Sequence, residues 1–238
     1  MTVAYNMRAS RPTLSEPNEE WECKKDPFGS PTRTILTRRL QIDPFNHFDE
    51  SHCNFLVRLW NTDDFIESCG KTPITTPEKA RDFIWKRMMP KESNCGAAQG
   101  NLGFFVVSLF PSRDAPGNTV PVPVGIVSLI QGQPPDPHYT APDVGFAILP
   151  EYSRKGYATE AVTALLGWAR TEHCIQVVFG FCDPQNWRSR RVLEKVGMEA
   201  RGVAQLQVFG GKKSDVYAIK GSHWDLSVYG ITEKITKH

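Results

Sequence analysis

Residues 143–160 read DVGFAILPEYSRKGYATE. The first seven, Asp143 to Leu149, are an apolar run of strand length, and the residues after the turn place Ala158, Ala161, Val162, Leu165, Leu166 and Ala169 on one face of a helix over 158–170. A strand running into a turn and an amphipathic helix leaving it puts free backbone N–H groups where an anion can be held, and Gly156 lets that backbone approach closely. Arg154 and Lys155 add two cations, so the turn suits a pyrophosphate, and we expect a nucleotide-bearing ligand there. Taken alone, 154–158 also reads as an ordinary turn with a solvated basic pair. Neither GxxxxGK[ST] nor GxGxxG spacing is present.

Outward from this stretch, Gln176–Cys182 is a near-continuous apolar strand, as expected when a crossover helix precedes it and both faces are covered. A second helix over about 185–196 carries Val192, Leu193 and Val196 inward and stops at Gly197. Strands follow near Val203–Phe209 and Asp215–Ile219, joined by a hairpin turn at Gly210-Gly211-Lys212. Upstream, Leu102–Phe110 and Val122–Ile130 read as an antiparallel pair, and Thr34–Ile42 as a first strand. Helices are expected at Asn54–Trp60, at Asp63–Cys69, and from Thr76-Pro77, where a cap precedes proline at the first helical position. Eight of the 18 prolines fall between Pro111 and Pro142, which makes the connections there rigid loops. Mixed strands and helices give a single α/β or α+β domain over about 31–220, with a polar arm at 1–30 and an undecided tail at 221–238.

The chain has 238 residues, with 28 Lys plus Arg against 26 Asp plus Glu and a net charge of +2, which argues against a nucleic-acid-binding role carried by charge. The six cysteines are scattered, without CxxC pairs or metal-like His/Cys spacing, so we expect reduced thiols and no metal. No apolar run approaches the roughly 20 residues of a membrane helix, and a cytoplasmic protein without membrane partners is expected. Met1–Ser15 carries Arg8, Arg11 and hydroxyl residues without an acid, as mitochondrial presequences do, but Glu16, Glu19, Glu20 and Glu22 end that character.

Four features in order, the strand Val144–Leu149, the turn before Gly156, the helix start Thr159-Glu160-Ala161, and Asn186-x-x-Ser189-x-x-x-Leu193-x-x-x-Gly197-Met198, resemble the acetyl-CoA half of the GNAT superfamily of N-acetyltransferases. The RimJ/RimL-like branch, which acetylates ribosomal-protein N-termini, is the most similar. The resemblance is strong over about 141–201 and loose over 34–220, where element order and the TRRL strand support it. It implies a mixed, mostly antiparallel sheet flanked by helices. In this family the fourth strand, here Asp143–Leu149, bulges away from the fifth and opens a V-shaped cofactor cleft.

By the same resemblance, Phe146, Ala147, Ile148 and Leu149 line the pantetheine arm, and one of their N–H groups stabilises the oxyanion formed when an amine attacks the thioester. Ser153, Arg154, Lys155, Gly156, Tyr157, Ala158 and Thr159 cradle the phosphates. The turn departs from the family at its first position, where Ser153 replaces the usual Gln or Arg. Asn186 is expected near the pantetheine, or as a helix cap after Asp183-Pro184. Ser189 is the candidate acid for the leaving thiolate, because the position where many relatives carry a tyrosine reads Leu193. Asp143 matches the place where some relatives hold a glutamate base, and also reads as a turn aspartate after Pro142.

His138 and Tyr139 sit in a Pro-rich loop that borders the expected cleft, with solvation as the plainer reading. Arg188, Arg190, Arg191 and Lys195 either meet a ribose phosphate or form a solvated face. Trp60, Trp85, Trp168 and Trp187 read as core or rim. The resulting expectation is acetyl transfer from acetyl-CoA to a primary amine of a small molecule. The alternatives are a protein N-terminus as acceptor, or an acyl-CoA-binding protein without catalysis.

Overall fold

The computed structural model describes residues 34–88, 103–111, 120–132 and 138–237. The expected arm at 1–30, the small-residue loop at 94–100 and parts of the Pro-rich connections lie outside the described residues. The strands are β1 (Ile35–Leu36), β2 (Leu40–Pro44), β3 (Gly103–Leu109), β4 (Val122–Ile130), β5 (Asp143–Ile148), β6 (Phe179–Cys182), β7 (Met198–Leu206) and β8 (Lys212–Ile219). The helices are α1 (Glu50–Trp60), α2 (Asp63–Cys69), α3 (Pro77–Phe83), α4 (Tyr157–His173) and α5 (Trp187–Lys195). The strands form one eight-stranded sheet in the order β1-β2-β3-β4-β5-β6-β8-β7. Every neighbouring pair is antiparallel except β5 and β6, which are joined through α4 as a crossover.

Helix starts follow the capping residues. Asp49, Thr62 and Thr76 accept the N–H groups of Ser51, Phe65 and Lys79. The Asp49 cap moves the first helix four residues upstream of the expected Asn54 start. The expected first strand divides into the β1–β2 hairpin, with Ile35 opposite Ile42. Thr37 makes the turn, its N–H donating to the Leu40 carbonyl at 2.9 Å and its Oγ1 accepting from Leu40 N–H at 2.9 Å. The strand expected at 176–182 shortens to β6, since β5 meets it only at Phe179 while β8 pairs with all of Phe179–Cys182. In contrast, β7 begins five residues before the expected Val203, directly after Gly197 ends the preceding turn at φ 85°.

On one face α4 and α5 bury Leu165, Leu166, Ala169 and Leu193 against Ile42, Val127, Leu129 and Val144. The opposite face has two covers. Over β2–β5, α1 and α3 pack Leu56, Leu59, Ala80 and Ile84 on Val106 and Ile126. Over β6, β8 and β7, the covers are the loop at 138–141 and the C-terminal segment, which buries Leu226 and Ile231. That segment is tied down by Thr140 N–H to the Tyr229 carbonyl (2.8 Å) and by two bonds of 2.8 Å between Val203 and Thr236. Cys53, Cys69 and Cys182 are free thiols, but Cys174 is disulfide-bonded, which corrects the reading of all six cysteines as reduced. Among the described residues, no helix is long and apolar enough to cross a membrane.

Candidate active site

The site begins where β5 and β6 part. β5 keeps its antiparallel register with β4 along its whole length, yet it pairs with β6 only at Asp143 and Phe179, where Phe179 N–H donates to the Pro142 carbonyl at 2.8 Å. Leu149 N–H bonds the Val124 carbonyl at 2.9 Å, and hydrogen bonding alternates along an antiparallel ladder. Ala147 and Gly145 therefore also face β4. Phe146 and Ile148 turn their N–H groups into the gap, where backbone polar groups need a partner. The side chains sort in the same way: Val144 and Phe146 belong to the α4 face, Asp143, Gly145 and Ala147 to the opposite one. Leu149 is itself fully buried, so it anchors the end of this edge.

After Leu149, a 3-10 turn over Pro150–Tyr152 leads to Ser153, whose Oγ donates back to the Leu149 carbonyl at 3.4 Å. Arg154 (φ 62°) and Gly156 (φ 81°) both adopt left-handed backbone. Gly156 is the N-cap of α4 and offers no side chain to it, so the N–H groups of Tyr157, Ala158 and Thr159 are left without a capping side chain. These donors point along the helix axis with the positive end of its dipole. Arg154 and Lys155 lie exposed beside them, with the Lys155 ammonium 5.2 Å from the Tyr152 ring centroid.

Arg39, from the β1–β2 turn, reaches under this cradle. Its Nη1 donates to the Lys155 carbonyl at 2.9 Å, its Nε and Nη2 hold Glu160 Oε2, and its guanidinium lies 4.7 Å from the Tyr157 ring centroid. Burial pushes the Glu160 carboxyl up, but hydrogen bonds from Thr37 and Arg39 outweigh it and hold its pKa below the usual range. On the α1 side, Arg58 pairs with Glu151. The first position of the turn thus has a serine bonded to its own loop, while Arg39 braces the turn's backbone and Arg58 holds the Glu151 carboxylate.

Asp143 stands at the closed end of the gap. Burial pushes its carboxyl up to about 7, against hydrogen bonding from its own backbone. Asn186 is the N-cap of α5, its Oδ1 accepting from Ser189 N–H at 3.0 Å. Leu193 is 1% exposed, and a Cβ on Gly180 would lie 2.6 Å from its Cδ2, so this position is core. Of the basic residues of α5, Arg188 pairs with Asp64 (3.1 Å) and Arg190 with the fully buried Asp215 (3.2 Å), while Arg191 and Lys195 are exposed. Tyr139 is buried with its hydroxyl 3.2 Å from Glu233, and His138 is half-buried. Trp60 is buried and Trp168 half-buried, whereas Trp85 and Trp187 are exposed. Among the described residues, no group of three or more His, Cys, Asp or Glu could hold a metal ion.

Sequence reasoning missed Thr37 and Arg39 as partners of Glu160, and Ser128, whose Oγ sits 2.6 Å from where a Gly145 side chain would begin. The TRRL run and the acid at the start of α4 were visible, but only the fold puts them together.

The N–H groups of Phe146 and Ile148 on the unpaired strand edge and those of Tyr157, Ala158 and Thr159 at the uncapped helix start follow one another along the chain, on either side of the turn at 150–156. The family described as an acetyltransferase (GNAT) domain matches residues 39–199. The chain belongs to the GNAT acetyltransferase family. An uncharacterized N-acetyltransferase of Bacillus subtilis, YnaD, is 30% identical over 92 residues, 39% of this chain and 49% of that protein. The chain thus spans about half the length of this curated relative. A GNAT-family acetyltransferase structure from Bacillus anthracis has a TM-score of 0.56 at 25% identity, covering 79% of this chain and 98% of its own. The ribosomal-protein-S5-alanine acetyltransferase of Vibrio fischeri shares the fold at a TM-score of 0.58 and 18% identity, covering 81% and 99%. The GNAT family uses acetyl-CoA.

Proposed function

We propose that the chain transfers the acetyl group of acetyl-CoA to a primary amine of a small molecule, by direct attack with both substrates bound. The observation that carries this reading is the β5 edge, unpaired from just beyond Asp143 and continuous with the uncapped start of α4. In it, Ser153, Arg154, Lys155 and Gly156 with the N–H groups of Tyr157, Ala158 and Thr159 hold the pyrophosphate. Phe146, Ala147, Ile148 and Leu149 line the pantetheine, with an N–H of this strand polarising the acetyl carbonyl. Asn186 and Ser189 border the arm from α5, and the Ser189 hydroxyl protonates the departing thiolate.

Asp143 takes the proton of the amine. A lysine-like amine with pKa about 10.4 costs roughly 4–5 kcal/mol to deprotonate at pH 7, and an α-amine near 8 only about 1–1.5. A base with a pKa near neutrality is matched to that work. Cys182 on β6 makes a poor nucleophile: its thiol is pushed up to about 12, by burial first and Asp215 next. This favours direct attack over an acyl-enzyme.

A protein N-terminus is the second acceptor reading, favoured by the RimJ/RimL-like motifs, and a non-catalytic acyl-CoA-binding role is favoured by Ser153 and Leu193. Calorimetric titration with acetyl-CoA, followed by thiol-release assays on small amines and N-terminal peptides, separates the three. Absence of CoA binding at millimolar concentration sinks all of them. Turnover confined to peptides selects the second, and tight binding without thiol release for any amine selects the third.

A further inference from the structure

The two covers on the face opposite α4 and α5 meet along the line where β5 and β6 part. Ala147 packs with the cover built from α1 and α3, whereas Phe179 and Phe181 pack with the cover built from the loop at 138–141 and the C-terminal segment. Between them lies the gap of the unpaired strands. Asp143 is at its head, on the same face as its register partner Phe179. Phe181, two residues on, returns to that face roughly 6.6 Å further along the strand. Its half-buried ring meets Phe209 of the β7–β8 turn at 5.4 Å and Tyr139 at 5.7 Å. Across the gap, Gly145 contributes no side chain and Ser128 Oγ takes that space, which keeps the floor low. The gap therefore has aromatic rings on its β6 side, a small polar side chain opposite them and Asp143 at its closed end.

A polyamine or a basic peptide would call for free carboxylates spaced along that side, but Glu233, behind the buried Tyr139, is held by the Tyr139 hydroxyl and the Gln207 N–H, and the half-buried Phe181 and Phe209 carry no charge. A flat apolar ring fits against them edge-to-face, while the amine on a short linker reaches Asp143. Resting on the acetyl-transfer reading above, we infer that the acceptor is an arylalkylamine and that Phe181 and Phe209 are its specificity-determining residues.

The test uses the full chain with phenethylamine, ethylamine, spermidine and an N-terminal peptide as acceptors. The wild type is expected to show a kcat/KM for phenethylamine at least roughly tenfold above that for ethylamine. Phe181→Ala and the milder Phe181→Leu lower this ratio about tenfold and about threefold, mainly through KM for phenethylamine. Phe48→Ala, an aromatic 83% exposed whose ring meets His47 rather than Phe181 or Phe209, keeps the wild-type ratio. Acetyl-CoA titration of each variant reports whether the fold is retained, and Phe209→Leu supplies an independent variant if Phe181→Ala does not fold. Equal efficiency with phenethylamine and ethylamine, preference for spermidine or peptide, or an unchanged ratio in a folded Phe181 variant overturns the inference while leaving acetyl transfer standing. No turnover of any acceptor by the wild type overturns both.

Discussion

Arg39 and Glu160, 121 residues apart, form a fork closed on one carboxylate: Arg39 Nε lies 2.7 Å and Nη2 2.6 Å from Glu160 Oε2, while Arg39 N–H (3.0 Å) and Thr37 Oγ1 (2.6 Å) reach Oε1. Four donors fix a residue in the first turn of α4, and the same guanidinium holds the Lys155 carbonyl. The hairpin at the edge of the sheet thereby sets the shape of the turn that leads into α4.

Arg39 is 42% exposed at its side chain, so the ion pair itself contributes modestly to stability, about 1 kcal/mol. Its larger effect is on positioning. Arg39→Ala is expected to raise KM for acetyl-CoA roughly tenfold with a smaller change in kcat. Arg39→Lys, which keeps the charge but loses the fork, recovers only part of that. Steady-state kinetics with acetyl-CoA as the varied substrate checks both, and equal losses in kcat and KM across the two variants would contradict a positioning role.

Asp143 gives two pH signatures. As the proposed base, with a pKa of about 7, it is expected to make kcat/KM rise with pH and level off above neutrality. Asp143→Asn removes that inflection and lowers kcat on the order of a hundredfold. Stability moves the other way. The folded pKa lies above the ordinary 3.8, so the native state favours the protonated carboxyl. Its contribution is full below pH 3.8 and is lost as pH rises through about 7, by roughly 4 kcal/mol at most. Urea denaturation at pH 5 and pH 8 should show Asp143→Asn gaining on the wild type as pH rises.

Two glycines of the α4 segment separate backbone need from helix propensity. Gly156 has φ 81°, and a Cβ there would stand 3.4 Å from Arg39 Nη2. Gly156→Ala therefore costs roughly 1–2 kcal/mol and weakens acetyl-CoA binding. Gly167 lies exposed within the helix with nothing within 4 Å of a built Cβ. Gly167→Ala stabilises by about 0.5–1 kcal/mol and leaves binding alone. Thermal melts with and without acetyl-CoA distinguish the two.

The C-terminal segment depends on Gly202. It has φ 128°, and a Cβ there would sit 2.4 Å from the Thr236 carbonyl oxygen. Gly202→Ala should break the Val203–Thr236 bridge at a cost of about 2–3 kcal/mol. Amide exchange reads it directly: the Thr236 N–H, bonded to Val203 at 2.8 Å, loses protection while the amides of α4 keep theirs.

The strand, turn and helix over 143–173 were legible because their signals are consecutive and local: an apolar run, a glycine, then a helical face. The residues that brace them were not. Glu160 meets Thr37 and Arg39 only after the five strands β1–β5 have been laid side by side, and no spacing in the chain encodes that meeting. The first strand was misjudged because branched residues on both sides of Thr37-Arg38-Arg39 look continuous, while the turn is made by the Thr37 hydroxyl. At 221–238 the polar composition hid two anchors, Leu226 and Ile231, that have no period of their own. Of the two readings of Asn186, the Ser189 N–H contact establishes the helix cap.

The single register pair between β5 and β6 has a mechanical consequence. The eight strands act as two plates, β1–β5 and β6-β8-β7, stitched at Asp143–Phe179 and laced on one side by α4 and α5. An extended molecule that fills the gap and bonds the Phe146 and Ile148 amides serves as a surrogate strand, so binding completes the sheet. Saturation of that gap at a hundred times Kd would add about 2.7 kcal/mol to stability.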